Sequence, residues 1–386
     1  MWRFRLLSTA LTLCYAGIPS AAAQAVRTTL ATAVTATITG PFVKITAVRE
    51  LASGAIIVLD RGDHRVWLAD VKRNTRVLIG KPGTAANEYD QPYALLFARE
   101  STFVYDFGSR RLLTIDGQGE LTTGFDFATV SANAAAFGLP PRAADDRGHF
   151  YLDGPPVVRT AQGMRAADST PILRAGRLRG KVDTIAFIRV PPGSVKVTAM
   201  GSGTMTTTGG ENPFTPSDQW VVAPDGRVAL VHAVPYHIEW ISAAGARTQG
   251  PVIPVEPIHV TEADKAEYAR NAAGAGAPSA GVRGPGSDKR TAPDHVRDDW
   301  PAAKPPFLRD AAHADTKGFV WVLRANAAGD GRRRFDVFNA LGQLAHRVGM
   351  PPGTQVAGFG ANTIYAVRTD QDGVQRLEVF PRPNIR

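Results

Sequence analysis

Three aspartates stand at the ends of successive predicted β-strands and are the first residues that suggest chemistry. They are Asp60, Asp106 and Asp153. Three carboxylates that converge on one channel could bind a hard cation such as calcium through oxygen ligands. Alternatively, each carboxylate accepts hydrogen bonds from the turn that follows it. The comparable positions later in the chain are His232, Arg324 and Arg368. None of these is a carboxylate, which argues against calcium.

Two histidines flank a short turn, and three consecutive arginines follow a glycine-rich one. His232 and His237 could meet at the tip of their turn, but a zinc site would need a third ligand that the sequence does not identify. Arg332, Arg333 and Arg334 could bind a carboxylate or a phosphate, or they could lie solvated in a turn. We predict no metal and no other cofactor, with calcium or zinc as the alternatives.

Composition excludes several classes of function. The only cysteine, Cys14, lies in the N-terminal signal described below, so the mature chain has no disulfide, no cysteine metal site and no cysteine nucleophile. No Gly-x-Ser-x-Gly motif supports a serine hydrolase, and nothing resembles a nucleic-acid-binding module. The formal charge of +9 becomes +7 once Arg3 and Arg5 are removed with the signal. This charge favours anionic partners or only keeps the surface solvated.

Residues 1–25 have the pattern of a secretory signal. A positively charged start is followed by a mostly apolar stretch over residues 6–18 and by small residues that include Ala23 and Ala25. We therefore place the mature start near Val26. No later segment approaches the roughly 20 apolar residues that a membrane-spanning helix needs. The sequence predicts a soluble, exported protein without a transmembrane segment, in the periplasm or outside the cell.

A strand pattern that recurs along the chain indicates the architecture. Its clearest copies, residues 60–70 and 106–116, lie 46 residues apart and share an Asp, a Gly, an Arg, an apolar run and a closing Asp. A period of about 40–50 residues is typical of propeller blades. The apolar half of the pattern occurs six times, at residues 65–70, 111–116, 171–176, 237–242, 334–339 and 376–381.

Another apolar run precedes each copy, so each unit is predicted to be a four-stranded meander, a to d, with the recurring pattern as strand c. We predict an all-β, six-bladed β-propeller of four-stranded antiparallel blades over residues 26–386. Too few residues follow Pro381 to give the sixth blade its own strand d. Val34, Ala36 and Ile38 alternate with threonines, as in a half-buried strand. Residues 28–39 are therefore predicted to close the ring.

In residues 60–70 the chain resembles the NHL-type six-bladed propellers. The segment from Asp63 to Val66 is similar to the turn and strand c of that repeat, and looser similarity follows at residues 80–92 and 106–116. The resemblance covers about residues 45–127; beyond them only strand c is retained. It implies a scaffold that binds a ligand or a partner, and some propellers of the broader superfamily are lactonases or lyases. The fold does not choose among these activities.

Loop lengths predict where a site would lie. The a–b and c–d turns share one face of the disc and are short, whereas the b–c and d–a connections share the other, which we call the long-loop face. Long irregular loops on a rigid scaffold usually carry function, although neutral drift is the alternative. The long segments are residues 80–92, 153–170, 191–218, 257–307 and 325–333. The candidate ligand-binding residues on this face are Glu88, Tyr89, Asp153, His232, Tyr236, His237, Arg324 and Arg332.

The largest long segment is an insertion over about residues 258–307, between blades four and five. Thr261 can cap a short helix that has acidic residues in its first turn. Residues 271–286 are rich in Gly, Ala and Pro and are predicted to be flexible. The insertion could be a lid over the channel or a packing appendage with a tolerated spacer.

Two functions follow from these features. We predict a monomeric binding module that binds a partner protein, a glycan or a small ligand at the long-loop face. The positive charge of the chain favours an anionic partner among these. The alternative is a metal-assisted hydrolase or lactonase at the mouth of the central channel. Convergent carboxylates, amides or histidines at that mouth would favour the enzyme, and an apolar or aromatic mouth would favour binding. No residue is assigned a catalytic role.

Overall fold

The protein is a six-bladed β-propeller, as predicted. The computed structural model describes residues 26–85, 87–131, 139–161, 163–176, 182–200, 203–208, 212–274 and 299–385. The signal predicted at residues 1–25 lies outside them, as does most of the segment predicted to be flexible. Six main sheets follow one another in the described chain: five have four antiparallel strands, and one has a fifth strand that pairs in parallel. In five of the six, the four antiparallel strands form a meander in chain order, and the remaining sheet takes its last strand from the N-terminal part of the chain. No helix among the described residues is long and apolar enough to cross a membrane.

The first three blades lie between residues 45 and 189. Blade one contains β3 (Ile45–Glu50), β4 (Ile56–Asp60), β5 (Arg65–Asp70) and β6 (Thr75–Leu78). Blade two contains β9 (Pro92–Ala98), β10 (Ser101–Asp106), β11 (Arg111–Ile115) and β12 (Leu121–Asp126). Blade three contains β13 (Ala143–Ala144), β14 (His149–Asp153), β17 (Ser169–Gly176) and β18 (Asp183–Arg189).

The last three blades include the insertion and both ends of the described chain. Blade four contains β21 (Gln219–Val222), β22 (Val228–Ala233), β23 (Tyr236–Ile241) and β24 (Arg247–Gln249). Blade five contains β27 (Phe307–Ala314), β28 (Val320–Arg324), β29 (Arg333–Phe338) and β30 (Leu344–Met350), extended by β1 (Arg27–Leu30). Blade six contains β31 (Thr354–Phe359), β32 (Thr363–Thr369), β33 (Gln375–Pro381) and β2 (Ala36–Phe42).

An N-terminal strand closes the ring, but its bounds differ from the prediction. β2 pairs antiparallel with β33, with Ala36 opposite Val379, so it is strand d of blade six. The predicted strand, residues 28–39, is interrupted at residues 31–35. Its first part belongs to β1, which pairs in parallel with β30 at the edge of blade five. β1 thereby covers hydrogen-bonding groups that an open edge strand would leave unpaired.

The core is divided into six apolar clusters, one between each pair of neighbouring blades. Strand b of blade one shows how a single strand serves two clusters. Ile57 and Leu59 pack towards blade two, whereas Ile56 and Val58 pack towards blade six. Because both faces of the strand are buried, its sequence is continuously apolar and does not alternate. This explains why the apolar runs could be counted from the sequence.

The strand bounds confirm the predicted difference between the two faces. Where the structure describes them, the a–b and c–d connections are short turns, whereas every small added element of the described residues lies in a b–c or d–a connection of the long-loop face. These elements are β7 (Lys81–Pro82), β8 (Glu88–Tyr89), η1 (Phe127–Thr129), β15 (Val157–Thr160), β16 (Gly163–Ala166), β19 (Val195–Met200), β20 (Gly203–Thr208), β25 (Ile258–His259), the helix α1 (Glu262–Gly274) and β26 (Ala303–Lys304).

The repeated aspartates of blades one and two have a structural role. Asp60 is wholly buried and accepts hydrogen bonds from the backbone N–H groups of Lys44 at 2.8 Å and Gly62 at 3.1 Å. Asp106 accepts from Gln91 N at 2.5 Å and from Ser109 N at 3.1 Å. Each carboxylate therefore joins its own b–c turn to the preceding connection. The two turns also share a left-handed residue at the same offset, His64 and Arg110.

Candidate functional site

Two predicted site residues, Glu88 and Tyr89, stabilise the connection between blades one and two. Tyr89 is buried in the core, where its hydroxyl donates to the carbonyl of Ile79 at 3.0 Å. Glu88 forms an ion pair with Lys81 at 2.9 Å and accepts a hydrogen bond from Ala85 N at 2.9 Å. The structure places neither residue with the other candidates.

Asp153 connects blade three to blade four. Its Oδ1 accepts a hydrogen bond from Nε1 of Trp220 at 2.7 Å, and its Oδ2 pairs with Arg142 at 3.0 Å. The guanidinium of Arg142 also lies over the indole ring, 4.8 Å from its centroid. The carboxylate therefore bonds one side chain of the next blade and one that directly precedes β13 of its own blade, unlike Asp60 and Asp106, whose partners are mainly backbone N–H groups.

His232 and His237 do meet, as directly opposed residues of β22 and β23. Their rings stack with centroids 4.5 Å apart. Nδ1 of His232 lies 3.0 Å from Asp218 Oδ2, and its Nε2 lies 3.5 Å from Glu239 Oε2. The hydrogen bond with Asp218 raises the pKa of His232 above its ordinary value. The pair of carboxylates therefore stabilises a charged imidazolium.

A small cavity of about 240 Å³ opens beside His232, between blades three and four. Asp218 lies in its wall and also accepts the backbone N–H of Ala233 at 2.9 Å. His237 donates from Nδ1 to the carbonyl of Pro235 at 2.7 Å, because a carbonyl can only accept. Both histidines are thus engaged in a hydrogen-bonded network of blade four. Within the described ranges, no three His, Cys, Asp or Glu side chains are grouped as metal ligands.

Tyr236 and Arg324 converge on a buried carboxylate, Asp336 in β29. The hydroxyl of Tyr236 donates to Asp336 at 3.3 Å, and Arg324 Nη1 donates to it at 2.9 Å. Arg347 binds the other carboxylate oxygen at 3.2 Å. Burial raises the pKa of Tyr236 well above its ordinary value, so the hydroxyl stays protonated. Asp336 thereby joins blades four and five, and Arg324 extends from this network into a larger cavity.

That larger cavity, about 430 Å³ in volume, lies on the long-loop face beside the inner strand of blade five. We call it the blade-five cavity. Its wall combines α1, the b–c turn of blade five, β27 and the connection before blade four. The residues that line the cavity include Phe214, Asp264, Glu267, Tyr268, Lys304, Leu308, Arg309, Arg324, Asn326, Ala327, Asp330 and Arg333. Apolar and cationic side chains therefore meet in one volume.

The first turn of α1 is fixed against blade five by a buried ion pair. Thr261 caps the helix as predicted, since its Oγ1 is 3.3 Å from the backbone N–H of Asp264. Asp264 Oδ1 pairs with Lys304 Nζ at 2.6 Å, and both side chains are buried. Burial alone would raise the pKa of Asp264, but the bonds from Lys304 and Thr261 outweigh it and lower that pKa. The pair holds the helix over the cavity.

Aromatic rings form the apolar part of the wall. Trp300 lies between Phe214, with centroids 5.5 Å apart, and Tyr268 of α1, at 5.8 Å. Nζ of Lys304 is 5.0 Å from the centroid of Phe214. These contacts link the insertion to the connection that precedes blade four. The insertion, for which the sequence left open a lid or a packing appendage, therefore packs on the blade-five cavity through specific side chains.

A β-bulge in β27 brings two further side chains into the wall. The register with β28 shifts between Phe307 and Ala312, and Asp310 adopts a left-handed conformation with φ of 54°. Oε1 of Gln219 accepts the backbone N–H of Ala312 at 3.1 Å and supports the bulge. Bulges often re-aim side chains next to functional sites. Here the bulge directs Leu308 and Arg309 to the cavity.

The three consecutive arginines do not act together. Arg332, the predicted site residue, forms a bidentate ion pair with Asp330 at 2.7 and 2.9 Å, and Arg334 binds the same carboxylate. The hydrogen bonds from Arg332 lower the pKa of Asp330 to about 2. Arg333 lies between them on the other side of the strand and lines the cavity. Alternation along β29 separates the arginines, because successive side chains point to opposite faces.

Of the three arginines that the sequence suggested as ligands for a carboxylate or a phosphate, Arg333 is the one that lines the cavity, although Arg332 was the one counted among the candidate ligand-binding residues. Its side chain makes no hydrogen bond and no ion pair with any residue that the structure describes. Burial lowers the pKa of its guanidinium, with no carboxylate to oppose the effect. The signal that could have identified it was the strand period, which places 333 opposite 332 and 334. The inward direction of that face was not in the sequence.

Comparisons with known proteins give matches among solved structures. No protein-family model and no curated protein matches the sequence. A solved structure from Bacteroides fragilis, described as an exported protein, is similar at 9% identity over 92% of this chain and 100% of that chain, with a TM-score of 0.49. A gluconolactonase from Xanthomonas campestris is 13% identical, with 89% of each chain covered and a TM-score of 0.43.

A virginiamycin B lyase from Staphylococcus aureus is also similar, at 9% identity over 89% of this chain and 97% of that chain, with a TM-score of 0.41. Such low identities concern the fold alone. No activity is carried over from these proteins, and the six-bladed architecture rests on the sheet order itself.

Proposed function

We propose that this protein is an exported binding module whose blade-five cavity takes a small organic ligand. The observation that carries the proposal is the cavity itself, about 430 Å³ with an aromatic wall beside cationic side chains. Ligand sites are commonly concave, mostly apolar and furnished with a few polar groups. The proposal chooses a small ligand over a partner protein or a glycan, because the wall surrounds a volume and is not a flat surface.

The state of the charged groups supports binding over hydrolysis. Lys304 and Asp264 neutralise each other, and Asp330 is engaged by Arg332, so these groups are held as structural charges. A hydrolase needs a base or nucleophile with an accessible proton or lone pair at the reacting atom. Glu267 on α1 is the remaining acid of the wall, and one carboxylate does not make the convergent cluster that the enzyme alternative requires.

Two features of the sequence support the rest of the proposal. The signal pattern of residues 1–25 supports export. The likeness of residues 60–70 to the NHL-type repeat supports a binding scaffold, since that repeat implies a ligand or a partner. Blades one and two carry the repeat, while blades four and five carry the cavity. The regular blades therefore serve as the frame and the irregular ones as the site.

The test uses the neutral aromatic dye N-phenyl-1-naphthylamine and follows its fluorescence on titration. Wild-type protein should bind the dye saturably, because the aromatic wall shields it from water. Ala327→Trp should reduce the affinity at least about tenfold by filling the cavity. Ala52→Trp is the matched control, since Ala52 is exposed in an a–b turn of the other face. Equal binding by all three proteins would refute the cavity as the site.

A further inference from the structure

No carboxylate among the residues that the structure describes forms an ion pair with Arg333. The acids of the blade-five cavity have other partners: Asp264 binds Lys304, and Asp330 binds Arg332 and Arg334. Glu267 accepts the backbone N–H of Gly329 at 3.4 Å, on the α1 side of the wall. A partly buried guanidinium without an acceptor is unfavourable, because burial removes water from the charge.

Hydrogen bonds order the turn that precedes Arg333, so the backbone that carries the Arg333 side chain is fixed before any ligand arrives. Asn326 Nδ2 donates to the carbonyl of Asp330 at 3.0 Å and to that of Arg332. Arg324 Nε donates to the carbonyl of Pro306 at 3.1 Å at the start of the same turn. A preorganised donor binds with less loss of entropy than a mobile one.

We infer that the ligand of the blade-five cavity is an amphipathic organic anion, with its carboxylate, sulfonate or phosphate on Arg333 and its apolar part against Phe214, Tyr268 and Leu308. The inference rests on the proposed function and adds the chemical class of the ligand. Guanidinium groups match the planar geometry of such anions with paired donors. The aromatic wall contributes through burial of apolar surface.

The test compares two dyes that differ by one anionic group. 1-Anilinonaphthalene-8-sulfonate is N-phenyl-1-naphthylamine with an added sulfonate. The sulfonated dye should bind wild-type protein at least about tenfold more tightly, as a charged hydrogen bond contributes. Arg333→Gln should remove that preference, so that the two dyes bind the variant with affinities within about twofold of each other. Arg73→Gln, an exposed arginine on the other face, should change neither affinity.

The two proposals fail in different ways. If neither dye binds, or Ala327→Trp leaves both affinities unchanged, the cavity is not the site and the proposed function fails. If the neutral dye binds in the cavity but Arg333→Gln does not change the preference for the sulfonated dye, or wild-type protein shows no such preference, the proposed function stands and the anion inference is overturned.

Competition with the sulfonated dye tests whether the cavity prefers an amphipathic anion to a small anion that has no apolar part. Octanoate should displace the sulfonated dye at a concentration at least about tenfold lower than acetate or inorganic phosphate, because its chain buries apolar surface. Equal displacement by acetate would overturn the apolar half of the inference. Added salt should lower the affinity for the sulfonated dye more than the affinity for the neutral dye, since ions screen the attraction between the sulfonate and the guanidinium.

Discussion

The histidine at position 232 is surrounded by groups that favour its protonated form. Asp218 and Glu239 accept from its two ring nitrogens, at 3.0 and 3.5 Å, and His237 stacks against it. Arg247 neutralises the far side of Glu239 at 3.0 Å. A residue that looks like a metal ligand in the sequence is thus part of a structural charge network. Its state of protonation can be tested directly.

His232→Gln should destabilise the protein more at acidic than at alkaline pH. The hydrogen bond with Asp218 raises the pKa of His232 in the folded state above the ordinary 6.5. The resulting stability is fully present below pH 6.5 and is lost as the pH rises through the higher folded-state pKa. Urea unfolding of the wild type and of His232→Gln measures this effect. The difference between their unfolding free energies should become smaller as the pH is raised from 6 to 9.

His259→Gln is the matched control, because His259 is exposed and its backbone lies in a short two-stranded sheet. It should give a small difference that does not change with pH. His313 and His346, whose pKa values burial lowers, are present in all three proteins and cancel in the comparison. A difference for His232→Gln that grows towards alkaline pH would contradict the assigned network.

At the scale of elements, the two N-terminal strands have different roles: β2 closes the ring as strand d of blade six, and β1 covers the edge of blade five. Ile38 of β2 is fully buried in the cluster between blades six and one. Leu30 of β1 is 70% exposed at the edge of blade five. The alternation of residues 34–39 predicted a half-buried strand, and this is right from Ala36 on, where Ile38 is buried, but wrong for Val34, which lies outside the strand and is exposed. It could not tell that β1 pairs with a different blade, because only the partner edge decides that pairing.

Ile38→Ala should lower the unfolding free energy by about 2–4 kcal/mol, as expected for a large-to-small change in a well-packed core. Leu30→Ala should change it by less than about 0.5 kcal/mol, because the side chain is mainly in water. Urea unfolding of the two variants measures both effects. Equal losses would mean that β1 and β2 contribute alike, and that ring closure by β2 is not the dominant N-terminal contact.

The insertion is attached so that it can be removed without breaking a blade. Ile258 pairs with Lys304 and His259 with Ala303, and Val260 N donates to the carbonyl of Ala302 at 3.0 Å. The two ends of the insertion are therefore neighbours. Its aromatic contacts, by contrast, all lie at the cavity.

Deletion of residues 262–300, with a short Gly-Ser linker in their place, should leave the six blades folded. It should lower the affinity for the neutral dye at least about tenfold. The deletion removes Tyr268 and Trp300 from the wall while β25 and β26 can still pair. Far-ultraviolet circular dichroism checks the fold and fluorescence titration checks binding. Loss of folding would instead make the insertion a structural element, and unchanged affinity would exclude it from the site.

At the scale of the whole molecule, the regular repeat and the blade-five cavity lie in different blades. Repetition made blades one and two predictable, since the same buried Asp and left-handed turn residue recur in each. The sequence also indicated which face carries the long loops. It could not indicate which side chains converge there: Arg333, Phe214 and Tyr268 are far apart in the chain, and they meet because β29, the connection before blade four and α1 border one cavity. The predicted residues were therefore spread over several blades.

Circular permutation tests this division. The two ends of the described residues reach the same cluster, because Ile385 packs against the cluster that contains Ala31, so a short linker can join residues 26 and 385. New ends in the c–d turn of blade two, at residues 118 and 119, lie on the face opposite the cavity. This permutant should fold and bind the neutral dye within about twofold of wild type, since neither the ring nor the wall is cut.

New ends in the b–c turn of blade five, at residues 328 and 329, should give a different result. Gly329 is exposed, so the blades should still form, but the turn that holds Asn326 and Asp330 would be cut. The wall would lose its shape, and dye affinity should fall at least about tenfold while circular dichroism is unchanged. If both permutants bind equally well, the irregular turn of blade five is not part of the site. If only the blade-two permutant loses binding, function lies in the repeated blades.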